Sequence, residues 1–200
     1  MKIEVEEINA NKCNVSRWLG GTTIELNIYP ENSKYSEKNF LYRISTATCD
    51  LNKSVFTDLP GIHRELMILE GDIELDHEGR YRKKLKSYDK DTFLGEWKTT
   101  SYGSCIDFNL MTSSNCEGEL KHFIVRDKKN IVISKKDTYK NVSVGLYLYK
   151  GKASVQYNCD KYTLVNKDML MFRVKDIDNN ISIEVNSNEI IDLILIQVYY

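Results

Sequence analysis

The chain has 200 residues, of which 42% are hydrophobic, and a formal net charge of −1. That is enough apolar material for one large domain, or for two small halves sharing a core. Near-balanced charge gives no general attraction for nucleic acid or an anionic membrane surface, and no apolar run approaches the ~20 residues a spanning helix needs.

Taken in chain order, the opening MKIEVEEINANKCNVSRW is polar and lacks the apolar core of a signal peptide. A cytoplasmic protein is expected. Thr22 to Pro30 alternates apolar and polar residues and then stops at proline. Phe40 to Ala47 alternates again, which puts Arg43, Ser45 and Ala47 on one strand face. In Pro60 to Leu75, a strand leads through Gly71 into a second strand, and strict alternation groups Arg64, Leu66, Ile68 and Glu70. The basic cluster Arg82-Lys83-Lys84 reads as a solvated loop, as do Lys128-Lys129 and Lys135-Lys136. Cys105 to Met111 sets Asp107, Asn109 and Met111 against Ile106, Phe108 and Leu110. Short β-forming runs continue at Leu120–Val125, Ile131–Ser134, Val142–Tyr149, Tyr162–Val165 and Met169–Val174. The closing IIDLILIQVYY is too short to span a membrane and reads as a buried last strand.

No long segment carries a helical period, so only a turn or two of helix is expected. Many short strands at near-regular spacing predict an all-β sandwich or barrel. A repeat supports a duplicated jelly roll. Leu66 to Leu75 followed by Tyr88 to Phe93 has the same order as Leu146 to Val155 followed by Val165 to Phe172: strand, glycine turn, strand, then an acidic turn before an apolar run. The five cysteines are odd in number, scattered, and include no CxxC pair, which argues against a disulfide frame or a structural zinc site.

Several motifs resemble those of the HutD/Ves family, in the same order. They are Trp18-Leu19-Gly20-Gly21-Thr22-Thr23, Tyr42 to Ala47, Phe56 to Arg64, Leu69-Glu70-Gly71, Phe93-Leu94-Gly95-Glu96 and Asp107 to Met111. They cover the first half of the chain, whereas the C-terminal part is similar only in pattern. The run before Thr22 has two glycines where the family often has three, and His63 stands where an aspartate is more usual. The resemblance implies a bicupin, two packed cupin-type jelly-roll β-barrels in one chain. The halves are expected at 1–112 and 113–200, in a single compact unit. The resemblance also implies a link to histidine utilisation through sensing of a small metabolite, with no firmly attached catalytic activity.

Metal-binding cupins share two histidines one residue apart, then a glutamate, then a glycine seven residues on. Counting back from Gly71 puts Arg64 at the glutamate, and Thr57 with Leu59, or Asp58 with Pro60, at the histidines. None of these sets suits a divalent ion, and His63 neighbours Arg64 and so points to the other face. No metal and no cofactor are expected. An arginine in a barrel mouth is instead a planar, permanently charged fork for carboxylate or phosphate. The candidate ligand-binding residues are Arg64, Arg43, Ser45, Asp107, Asn109, Glu70 and Trp18, and the expected partner is a small anionic metabolite, a carboxylate. The structural alternative is an internal ion pair of Arg64 with Asp107 or Glu70. The functional alternative is a metal-independent isomerase or hydrolase of small acids, with Asp107, Glu70 or His63 as acid or base. The sequence leaves the oligomeric state open.

Overall fold

The structure is a computed structural model that describes residues 1–200. The strands in chain order are β1 (Lys2–Asn9), β2 (Asn14–Trp18), β3 (Gly21–Tyr29), β4 (Tyr42–Cys49), β5 (Lys53–Val55), β6 (Ile62–Gly71), β7 (Ile73–His77), β8 (Tyr81–Leu85), β9 (Lys90–Leu94) and β10 (Thr99–Tyr102). They continue as β11 (Cys105–Ser113), β12 (Glu117–Val125), β13 (Lys128–Ile133), β14 (Val142–Lys150), β15 (Lys152–Tyr157), β16 (Asp160–Val165), β17 (Asp168–Lys175), β18 (Ile181–Asn186) and β19 (Ile191–Tyr199). The helical content is two 3-10 turns, Ala10–Lys12 and Tyr35–Glu37. No helix is long and apolar enough to cross a membrane.

The chain forms two units. Residues 13–118 build a six-stranded sheet, β2-β3-β4-β11-β6-β9, and a four-stranded sheet, β5-β10-β7-β8. Between these sheets lies a core of Leu66, Ile68, Ile73, Leu75, Leu85 and Phe93. Residues 1–12 and 119–200 build the sheets β1-β17-β14-β19-β12 and β13-β18-β15-β16. Their interior is filled by apolar side chains from both sheets, among them Val144, Leu146, Leu148, Phe172, Leu193 and Leu195.

The division differs from the expected 1–112 and 113–200. The second unit begins near the start of β12 and also takes the first twelve residues, because β1 pairs along its whole length with β17, from Lys2↔Lys175 to Asn9↔Asp168. A pairing between such distant segments leaves no local trace in the sequence.

The suspected repeat is a repeat of topology. β6 pairs with β9 and β11, β7 with β8 and β10, and β10 with β5. In the second unit, β14 pairs in the same way with β17 and β19, β15 with β16 and β18, and β18 with β13. Gly71 and Gly151, both at positive φ, close the matching turns. Two residues before each, the ladder skips one position, Leu69 in β6 and Tyr149 in β14. Such a bulge bends the strand and reverses which face the following residues occupy.

Candidate functional site

In the first unit three central strands are in register. Arg64, Met111 and Arg43 form one cross-strand row, Leu66, Asn109 and Ser45 the next, and Ile68, Asp107 and Ala47 a third. Side chains opposite one another on antiparallel neighbours share a face. The polar residues read from separate alternating segments therefore meet inside one barrel. They line a cavity of about 430 Å³, whose lining also includes Trp18, Phe56, Leu66 and Ile73. Trp18 is half-exposed at the rim, and its indole Nε1 donates to Thr23 Oγ1 at 3.2 Å.

Glu70 is the exception. The extra residue Leu69 shifts the register so that Ile68 faces Asp107 but Glu70 faces Ile106. Ile106 lies on the opposite face of β11 from Asp107, so Glu70 leaves the cavity lining. Strict alternation across Leu69 placed it wrongly.

The two arginines have different surroundings. Arg43 is neutralised: its Nε donates to Glu25 Oε2 at 2.6 Å, Nη1 donates to Ser45 Oγ at 3.1 Å, and its guanidinium lies 4.4 Å from the Tyr35 ring. Arg64 is 7% exposed and makes neither the ion pair with Asp107 nor the one with Glu70. Its Nη2 donates to Asn109 Oδ1 at 3.3 Å, and its guanidinium lies 4.6 Å from the centre of Phe56 and 5.4 Å from Phe93. Its Nε is buried without a hydrogen-bond partner. Burial lowers the Arg64 pKa to about 10, with Tyr35 and Asp107 opposing that shift and Arg43 adding to it. The group stays a cation at neutral pH.

Asn109 separates this cation from the acid, since its Nδ2 donates to Asp107 Oδ1 while its Oδ1 accepts from Arg64. Asp107 is 8% exposed, and burial pushes its carboxyl up to about 7, against the pull of Arg64, the Ala47 backbone and Asn109. Beside it Cys49 and Cys105 stand directly opposite each other on β4 and β11, and both are free thiols. Burial, with Asp107 and Cys49, raises Cys105 to about 12.

Sequence reading did not single out Glu25, Tyr35, Phe56 or Phe93. Glu25 shares a face with Thr23 by alternation, but its contact with Arg43 depends on the β3–β4 register. Phe56 and Phe93 each belong to a segment already noted for family likeness, which was the available signal. A second buried polar cluster lies outside the cavity. His77 contacts Thr99 Oγ1 at 2.8 Å and Asp91 Oδ2 at 3.0 Å, and Asp91 is also held by Lys83 and Tyr81. Its members satisfy one another. His63 is exposed, and no group of three or more His, Cys, Asp or Glu side chains is placed to hold a metal ion.

The matching positions of the second barrel are apolar. Val144 precedes Gly151 by the seven residues that separate Arg64 from Gly71, and it pairs with Phe172 as Arg64 pairs with Phe93. Leu148 pairs with Leu193 where Ile68 pairs with Asp107, and Leu146 with Leu195 where Leu66 pairs with Asn109. Arg64, Asp107 and Asn109 thus correspond to Val144, Leu193 and Leu195. The fold closes without a polar interior at these three positions.

Two jelly-roll units of the same topology in one chain, one with a polar cavity and one filled, define a bicupin. The HutD family model matches residues 10–191, and the chain belongs to the HutD family. The match extends well past the half in which motifs were legible. Among solved structures, the conserved protein of unknown function PA5104 from Pseudomonas aeruginosa PAO1 is 16% identical with a TM-score of 0.84, covering 98% of this chain and 100% of that one. HutD from Pseudomonas fluorescens SBW25 is 19% identical with a TM-score of 0.73, covering 98% of each chain. YhhW from Escherichia coli is 10% identical with a TM-score of 0.68, covering 97% of each. No curated protein matches the sequence.

Proposed function

We propose that this protein is a metal-free, small-molecule-binding bicupin that takes a small carboxylate metabolite on Arg64 and serves a sensing or regulatory role in the cytoplasm. The family name suggests that the pathway is histidine utilisation or another branch of amino-acid metabolism. The observation that carries the reading is Arg64 itself. A buried guanidinium without an ion pair, and with an unpartnered Nε, is costly unless an anion meets it. The cavity beside it is large enough for a small acid, and Arg43 and Ser45 add donors on β4, across β11 from Arg64. The apolar counterpart barrel supports a role in binding, since the fold does not require the charge.

The test is a thermal-shift panel of small mono- and dicarboxylates, including intermediates of histidine breakdown, on the parent and on Arg64→Met. A ligand of the folded state raises the melting temperature with concentration. The expected result is stabilisation of the parent by at least one carboxylate and none of the variant, which itself is less stable than the parent by no more than about 1 kcal/mol, because burial of an unpaired charge is relieved. An unresponsive parent refutes the reading.

A second reading, a metal-independent enzyme acting on small acids, draws on Asp107, whose carboxyl near 7 suits general acid–base work at neutral pH. Turnover of a bound acid that is lost in Asp107→Asn, with binding retained, would favour it.

A further inference from the structure

The cavity holds an acid that its cation does not pair with. Arg64 and Asp107 both reach Asn109, from opposite sides, and the amide keeps them apart: its oxygen takes an Arg64 N–H and its Nδ2 occupies Asp107 Oδ1. The partners of the Asp107 carboxyl are the Asn109 amide and the Ala47 backbone N–H, and no cation bonds to it. Asp107 is buried, faces the cavity and has an aliphatic counterpart, Leu193, in the second barrel.

An anionic ligand on Arg64 would therefore lie beside a second carboxyl. Two carboxylates cannot share a low-dielectric site while both are ionised, so one of them keeps a proton. The other titratable and charged groups lining the cavity are Arg17 on β2, Tyr35, Arg43 with Cys49 on β4, Arg64 on β6 and Cys105 on β11. Arg43 is already paired with Glu25, Tyr35 lies over Arg43, and the Cys105 thiol stays neutral. Arg17 is on the exposed strand β2. None of these makes an ion pair with Asp107.

We infer that the pocket takes up its carboxylate together with one proton: Asp107 enters the complex as the neutral acid and its carboxyl donates to a ligand oxygen, while Arg64 holds the anionic end. The ligand class narrows to small carboxylates with a second acceptor oxygen within reach of Asp107, either the other carboxylate oxygen or an adjacent carbonyl. The proton count agrees with burial holding the Asp107 carboxyl up near 7 in the unliganded chain. The inference rests on the carboxylate reading above and adds a proton to it.

The test uses acetate and the strongest carboxylate of the panel, titrated from pH 5.5 to 8.5 by intrinsic tryptophan fluorescence and by calorimetry in buffers of different ionisation enthalpy. In the parent, affinity is expected to be level at low pH and to fall about tenfold per pH unit once Asp107 ionises, with one proton taken up per ligand at pH 8. Asp107→Asn, whose amide donates without titrating, is expected to bind across the range with no slope and no proton uptake. If that variant misfolds, the proton count in the parent decides alone. Parent binding without proton uptake, or a slope that persists in Asp107→Asn, overturns the inference and leaves the carboxylate reading standing. Absence of binding at every pH overturns both.

Discussion

At the residue scale, the cavity is governed by two charges that the fold buries but does not join. Asp107 has a consequence for stability apart from any ligand. Its carboxyl stands near 7 in the folded chain against an ordinary 3.8, with burial the main cause. Between those values the folded state holds a proton that the unfolded state has released. The contribution of Asp107 is therefore fully present below about pH 4 and is lost as pH rises through about 7. Asp107→Asn keeps the hydrogen bond from Asn109 and cannot ionise. Its stability relative to the parent is expected to rise from about pH 4 to about pH 7 and to level off above that, read as the difference in urea midpoint. A difference that stays flat over that range would show that Asp107 ionises as freely in the fold as outside it.

At the element scale, the β6–β7 turn decides which side chains reach the cavity. Leu69 is the extra residue that turns Glu70 out, and Gly71 then reverses the chain at φ +90. A Cβ on Gly71 would lie 2.5 Å from the Ser104 carbonyl oxygen, a backbone atom on the neighbouring strand segment. Gly79, in the β7–β8 turn, has φ +73 but open space around it. The two glycines separate conformational strain from collision. Gly79→Ala is expected to cost about 1 kcal/mol, the left-handed penalty alone. Gly71→Ala adds displacement of β11 and is expected to cost about 1–3 kcal/mol more, and it should weaken carboxylate binding because Cys105 and Asp107 move with that strand. Equal costs in chemical denaturation would show that the Ser104 contact relaxes freely.

At the scale of the whole molecule, one topology is used twice with different interiors. The second barrel shows what the first could hold, Val, Leu and Leu in place of Arg64, Asp107 and Asn109. Replacing a buried polar network by aliphatic residues of a fitting shape is often neutral or stabilising, whereas removing one member leaves the others unpaired. The triple variant Arg64→Val, Asp107→Leu, Asn109→Leu is expected to fold, to melt at or above the parent temperature, and to lose every carboxylate-induced shift. The single change Asn109→Leu leaves both charges without their bridge and is expected to cost about 2 kcal/mol or more. A triple variant that fails to fold would make the polar cluster a structural requirement of the first barrel.

The sequence alone determined a good deal, because a period of two is a local property. Alternation in Phe40–Ala47 and Cys105–Met111 assigned Arg43, Ser45, Asp107 and Asn109 to their faces, and all four line the cavity. Spacing to Gly71 put an arginine where a metal-binding cupin has glutamate, and the repeated order of strands and glycine turns disclosed two barrels. Only the tertiary structure could decide what depends on pairing between distant segments. The Leu69 bulge moved Glu70 out, the β3–β4 register brought Glu25 to Arg43, and β1 joined β17 at the far end of the chain. The separation of Arg64 from Asp107 by Asn109 is of the same kind. Alternation tells which way a side chain points, whereas register and burial, set by the whole sheet, tell which charge meets which and which is left for a ligand.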